Sequence, residues 1–148
     1  MTLKVDRIII VDFGSQVTKL IARRIREFGV FSEILTIKQL EKLNNFKSIK
    51  GIILSGGPST VTKKKFPQIP KEILSKNIPV LGICYGLQLI SKMFGGQVRK
   101  SIKKREFGRI LLKSKIKSAL TKNFFTKKFF TYVWMSHQDA VIKLPKDF

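Results

Sequence analysis

Apolar and polar positions alternate in blocks along the first two thirds of the chain. Arg7 to Val11 reads Arg-Ile-Ile-Ile-Val, a short β-branched run of the kind that forms a buried strand. From Val17 to Phe28 the period changes. Val17, Leu20, Ile21, Ile25 and Phe28 recur at helical spacing, Lys19, Arg23, Arg24 and Glu27 fall elsewhere, and Gly29 supplies a C-terminal cap. The same reading predicts a strand over Phe31–Leu35, a short helix over Ile37–Leu43, a strand over Gly51–Leu54 and a short helix from Pro70 to Lys76. A strand over Pro79–Ile83 and a helix over Gly86–Phe94, closed by Gly95-Gly96, complete the series. Strands that are apolar throughout, separated by helices, predict an α/β fold with an open, mainly parallel sheet and helices on both faces.

Beyond Gly96 the pattern changes again. Gln97–Lys100, Gly108–Lys113 and Phe129–Met135 read as strands without clear helices between them, a meander or hairpin added to the parallel sheet. Phe124, Phe125, Phe129 and Phe130 are expected on core strand faces rather than as a platform for stacked bases. No repeat or linker divides the chain, so residues 1–148 are expected to belong to one domain.

Composition sharpens this picture at two points. The hydrophobic content is 43% and includes twelve Phe, ample for a core without disulfide or metal staples. No apolar run approaches the ~20 residues of a membrane span, and the N-terminus lacks a signal peptide's apolar stretch. A single cysteine makes no internal disulfide, so a reducing cytoplasm is the expected compartment.

The charge is the unusual feature. Thirty Lys and Arg against nine Asp and Glu give +21, which attracts polyanions. Only seven of the thirty are Arg, the residue suited to bidentate phosphate and base contacts. The basic residues are spread over most of the chain, thickening between Arg99 and Lys128, and no nucleic-acid motif accompanies them. A general enrichment in Lys is therefore the preferred reading. A basic, non-catalytic nucleic-acid-binding or degenerate module is the alternative.

Ligands of open parallel sheets bind at the carboxyl ends of the strands. Three turns fall there: Asp12-Phe13-Gly14-Ser15, Ser55-Gly56-Gly57-Pro58 and Gly82-Ile83-Cys84-Tyr85-Gly86. The last has the form of a nucleophile elbow with thiol in place of hydroxyl. A nucleophile there occupies a strained turn, its neighbours must be small, and a helix N-terminus aimed at it favours the reactive thiolate. Taken alone, the pattern is equally that of a buried cysteine beside two packing glycines.

Gly82-Ile83-Cys84-Tyr85-Gly86-Leu87-Gln88, together with Ser55-Gly56-Gly57-Pro58, resembles the class I glutamine amidotransferase family. Ile10-Val11-Asp12-Phe13-Gly14-Ser15-Gln16 and Tyr132-Val133-Trp134-Met135-Ser136-His137 are similar to one branch of it, which supplies ammonia for ATP-dependent amination of a purine nucleotide. The resemblance covers essentially the whole chain and implies a flavodoxin-like domain. It makes Cys84 the catalytic nucleophile, with the backbone N–H groups of Gly57 and Tyr85 as oxyanion hole. Gln88, Ser136, Gln138 and Asp139 would bind the substrate glutamine. The family pattern has Gly where this chain has Gln138, which takes a glycine's backbone conformations less easily.

His137, the only histidine, falls in the substrate-binding segment rather than in the general base's place. The family's catalytic His-x-Glu pair has no counterpart among the 148 residues. By the same resemblance, an ATP pyrophosphatase domain and a dimerisation domain would follow, with ATP and Mg used there, no cofactor in this part, and a homodimer at full length. The chain by itself is expected to release little or no ammonia from glutamine. A coupled ammonia assay checks this, and turnover at the rate of an intact amidotransferase would contradict it.

Overall fold

The computed structural model describes residues 5–100, 106–114, 118–121, 124–125, 130–137 and 139–146. Two compact units emerge, one of residues 1–99 with 141–148 and one of residues 100–140.

The first unit is built on four parallel strands in the order β2-β1-β3-β4. They are β1 (Arg7–Val11), β2 (Phe31–Leu35), β3 (Ile49–Leu54) and β4 (Val80–Gly82). Strand β1 pairs with β2 in an unbroken register from Arg7↔Phe31 to Val11↔Leu35. On its other side it pairs with β3, with an irregularity between Arg7 and Ile8. The order reverses between β1 and β3, the point where open α/β sheets form a crevice. With this strand order, the rule that such crossovers are right-handed assigns α1 (Thr18–Glu27) to one face, and α2 (Ile37–Glu41) and α3 (Lys71–Leu74) to the other. Helix α4 (Tyr85–Met93) follows β4 directly and packs against β3 and β4. This is the open parallel α/β sheet expected from the apolar runs.

Ile9, Ile10, Val11, Leu54 and Leu89 have no solvent exposure, and Leu40 and Ile52 have almost none. A strand buried on both faces has no polar side to show, which explains why β1 is a continuous apolar run. Helix α2 begins with a capping box, Thr36 accepting from the Gln39 amide while the Gln39 side chain accepts from the amide of Thr36. Helix α1 ends at Gly29, whose φ of +74° is the left-handed conformation expected of a cap.

The packing of α1 departs from the periodic reading. Its buried residues are Thr18 and Ala22, while Val17, Leu20 and Phe28 are exposed. The reason lies in close approach to β2. The buried Ser32 hydroxyl donates to the Ala22 carbonyl at 3.0 Å, and Arg26 bonds both the Oγ and the carbonyl of Ser32. A small face seats the helix near the strand, Ile21 and Ile25 of the apolar stripe are half-buried, and Val17, Leu20 and Phe28 turn outward.

Strand β5 (Gln97–Lys100) pairs with β8 (Asp139–Lys143), residues 97–99 and 141–143 of the two belonging to the first unit. Strand β8 was not predicted from the sequence, because Asp139-Ala140-Val141-Ile142-Lys143 carries no turn signal to separate it from the preceding strand. The second unit is an antiparallel hairpin of β6 (Glu106–Lys113) and β7 (Phe130–His137), with a 3-10 turn over Ala119–Thr121. Phe130, Tyr132 and Trp134 project from the same face of β7 and are exposed. Phe124 is also exposed, so neither it nor Phe130 occupies the expected core position, and Phe129 lies outside the described residues. No helix among the described residues is long and apolar enough to cross a membrane.

The contrast between α1 and α4 is measurable. Leu89→Ala removes a fully buried side chain and should cost about 2–5 kcal/mol. Leu20→Ala, at a half-exposed site, should change stability by about 0.5 kcal/mol or less. Urea unfolding of the two variants checks the ranking.

Candidate active site

Three loops meet at the carboxyl ends of β1, β3 and β4, and Ser55 joins them. Its side chain, fully buried, accepts from the Phe13 amide at 3.1 Å and donates to the Gly56 carbonyl at 2.9 Å. Its backbone N–H donates to the Val11 carbonyl and its carbonyl accepts from the Gly86 amide, both at 3.1 Å. One residue thereby fixes the loop after β1, the loop after β3 and the first turn of α4. The Asp12 loop is shaped separately, by Asp12 Oδ1 accepting from the Gly14 amide at 2.9 Å and the Thr18 hydroxyl at 2.8 Å.

Cys84 stands between β4 and α4 with φ +49° and ψ −108°, and it is exposed. A non-glycine residue at such a φ is strained, by about 1–3 kcal/mol, and persists only where its surroundings over-determine it. The surroundings here do so. A Cβ on Gly86 would fall 2.2 Å from the Leu54 carbonyl oxygen, and one on Gly82 would fall 2.5 Å from the Leu87 nitrogen. The strand and helix therefore approach so closely that only glycine fits on either side of Ile83-Cys84-Tyr85. The requirement for small neighbours, inferred from the motif, has its physical cause in these two contacts. Neither glycine is itself in a left-handed conformation.

Gly57 is constrained in the same way, because its Cβ would lie 2.4 Å from the Phe13 carbonyl oxygen. Gly56 faces the thiol. A Cβ there would be 3.5 Å from both Cys84 Cβ and Ser15 Oγ, so the Ser15 hydroxyl belongs to the same mouth. Tyr85 opens α4 and is almost fully buried. Its hydroxyl donates to the Pro67 carbonyl at 2.5 Å, and its ring lies 5.0 Å from that of Phe13 at a tilt of 54°. Burial pushes its phenol up to about 12 from the usual 10.0. Gln88 follows one turn later and is buried, with 8% exposure, rather than lying solvated on the helix surface.

The first unit thus brings together Cys84, Tyr85, Gln88 and the Ser55–Pro58 loop. Asp139 begins β8 and is buried, and Ser136 is exposed near the end of β7. Both belong to the other unit. Gln138 lies outside the described residues. The motifs did not single out Ser55, Phe13 or the Tyr85 side chain for their parts in this architecture. The available signal was a lone hydroxyl directly after the apolar strand Gly51–Leu54, where a buried polar group has to be bonded.

An open parallel sheet with an exposed thiol at a strained strand–helix turn has the geometry of a nucleophile elbow. The profile of the glutamine amidotransferase class-I family matches residues 9–148, and the chain belongs to that family. The glutamine-hydrolysing GMP synthase of Treponema denticola is 48% identical over 144 residues, which are 97% of this chain and 27% of that protein. That of Finegoldia magna is 44% identical over 146 residues, 99% of this chain and 28% of that protein. The chain therefore spans little more than a quarter of the length of these curated relatives. Among solved structures, a protein assigned as a GMP synthase component from Thermoplasma acidophilum matches with a TM-score of 0.75 at 30% identity. The match covers 97% of this chain and 70% of that one. A glutamine amidotransferase from Thermotoga maritima shares the fold, with a TM-score of 0.75 at 24% identity, over 95% of this chain and 64% of that one.

The buried phenol of Tyr85 makes a testable pH dependence. The phenol is uncharged when protonated, so raising its pKa favours the folded chain below about pH 10, and this contribution is lost as pH rises through about 12. The chain has two tyrosines, which makes the ultraviolet titration of phenolate simple to read. Tyr85→Phe should remove the step near pH 12 and flatten the fall of stability between pH 10 and 12.

Proposed function

We propose that the chain is the glutaminase portion of a glutamine-hydrolysing GMP synthase, acting in the cytoplasm. The observation that carries this reading is the exposed Cys84 at φ +49°, held between two glycines that leave no room for a Cβ. The identity of 48% to a GMP synthase over 97% of the chain supports the choice within the family.

In this reading the Cys84 sulfur attacks the side-chain amide carbon of glutamine. A C–S bond forms, the carbonyl oxygen takes the negative charge, and the C–N bond then breaks as the nitrogen takes up a proton and leaves as ammonia. Water hydrolyses the thioester to glutamate and restores the thiol. The oxyanion is received by the amides of Gly57 and Tyr85. Tyr85 suits the part because amides of the first helical turn have no partner within the helix. Gly57 suits it because its backbone lies close to Phe13 and bears no side chain to block a ligand. Gln88 contacts the substrate from α4, and Ser136, Gln138 and Asp139 bind its α-amino and α-carboxylate ends.

The acid–base pair that would complete the thiol's activation is supplied by polypeptide other than these 148 residues, as is the ATP pyrophosphatase. There, with ATP and Mg, ammonia converts XMP to GMP, and the whole protein acts as a homodimer.

The test is made in the larger protein that contains this chain, with AMP formation from ATP and XMP as the readout. Cys84→Ala should lower glutamine-dependent amination by on the order of 10³-fold or more, and leave amination from added ammonium salt within about twofold. Equal loss of both activities, or loss of neither, would refute the assignment.

A further inference from the structure

The two amides required for the reaction proposed above sit on different loops, which must be held at a fixed separation. Both loops rest on Phe13. The backbone of Gly57 packs against it so closely that a Cβ would meet the Phe13 carbonyl oxygen at 2.4 Å and its Cβ at 3.0 Å. The Tyr85 ring lies 5.0 Å from the Phe13 ring, and both side chains are buried. Phe13 is itself fixed by the hydrogen bond that its backbone N–H donates to the Ser55 hydroxyl oxygen.

Tyr85 adds a second tie. A phenylalanine would fill the same space, but the tyrosine hydroxyl reaches the carbonyl of Pro67. Pro67 lies on the returning leg of the irregular segment that leaves Gly57-Pro58 and ends at Pro70, before α3. Val61 and Ile69 anchor that segment by burial, which is non-directional. The hydroxyl provides a directional bond from the same residue whose amide opens α4. We propose that Phe13 and the side chain of Tyr85 are positioning residues that set the separation of the Gly57 and Tyr85 amides, Phe13 as the shared support and Tyr85 as the tether.

The inference rests on the reading of Cys84 as a glutaminase nucleophile, and the test separates the two. Cys84 is alkylated with two reagents in the larger protein that contains this chain, its labelling followed by mass spectrometry of the Cys84 peptide. Iodoacetamide reacts by direct displacement of iodide and builds no oxyanion. A chloroketone analogue of glutamine is first attacked at its ketone, whose oxygen takes the negative charge. Sulfur then shifts to the adjacent methylene as chloride leaves, its bond to the carbonyl carbon breaks, and the oxyanion collapses back to the ketone. The ratio of the two rates, set against that of a free thiol, reports the oxyanion site rather than the thiol alone.

The wild-type ratio should exceed that of a free thiol. Tyr85→Phe and Phe13→Leu should each lower the ratio about tenfold, less than the 10²–10³-fold typical of deleting an oxyanion donor outright, with the iodoacetamide rate unchanged within about twofold. Phe13→Tyr, which keeps the ring, should retain most of it. A ratio unchanged in folded Tyr85→Phe and Phe13→Leu would overturn the positioning role, as would an equal fall of both rates, the mark of general loosening. A wild-type ratio no higher than that of a free thiol would overturn the glutaminase reading, and this proposal with it.

Discussion

The structure depends on a close approach of backbones at the carboxyl edge of the sheet. There the elbow after β4 lies against the end of β3, and the loop after β3 lies against the loop after β1. Gly86 sits where any Cβ would collide with the Leu54 carbonyl, and Gly57 where it would collide with that of Phe13. Contacts this short leave little room for alternative arrangements, since packed interiors do not deform continuously. Ser55 adds direction to the approach by bonding all three segments from a position with no access to water. Hydrogen bonds in such surroundings are costly to leave unmade, so Ser55 ties the three loops to one another.

The strained backbone of Cys84 follows from that constraint. A positive φ at a side chain with a Cβ would relax if the flanking residues could shift, and the glycine contacts on both sides prevent it. The free energy that holds the turn comes from the apolar packing behind it. Leu89 and Tyr85 of α4, with Leu54 and Ile52 of β3, are all but inaccessible to solvent. Strain at one exposed residue, held by an ordinary packed core, is the arrangement expected where a side chain must be presented outward from a sheet.

The charge and the second unit follow a different logic. Lysines dominate the excess of +21, and none of the described residues forms a metal-binding cluster. The hairpin shows an alternation unlike that of the parallel strands. Arg109, Leu111 and Lys113 of β6 stand opposite Trp134, Tyr132 and Phe130 of β7 and share their exposed face. Arg109 lies 4.1 Å from the centre of the Tyr132 ring, a cation–π contact that shields part of an otherwise apolar surface. Two strands alone have one face to pack and one to expose, which is why Phe130, expected on a core face, is found at the surface here.

What the sequence by itself determined is the sheet and the elbow. Apolar runs such as Arg-Ile-Ile-Ile-Val specify strands buried on both faces, and glycines after Phe28 and Phe94 stop helices. These are local signals, and local chemistry is enough to read them. A cysteine between two glycines at a strand end fits a nucleophile turn and a buried packing cysteine equally, and only the resemblance to the amidotransferase family chose between them. Tertiary structure alone decided which face of α1 is buried, because seating the helix on Ser32 favours Thr18 and Ala22 over the larger side chains. It likewise decided that Ser55 joins the three loops and that Phe13 supports both Gly57 and Tyr85. Those roles come from contacts between residues as far apart in sequence as Phe13 and Tyr85. No periodicity or spacing records such a contact, since it exists only once the strands have paired.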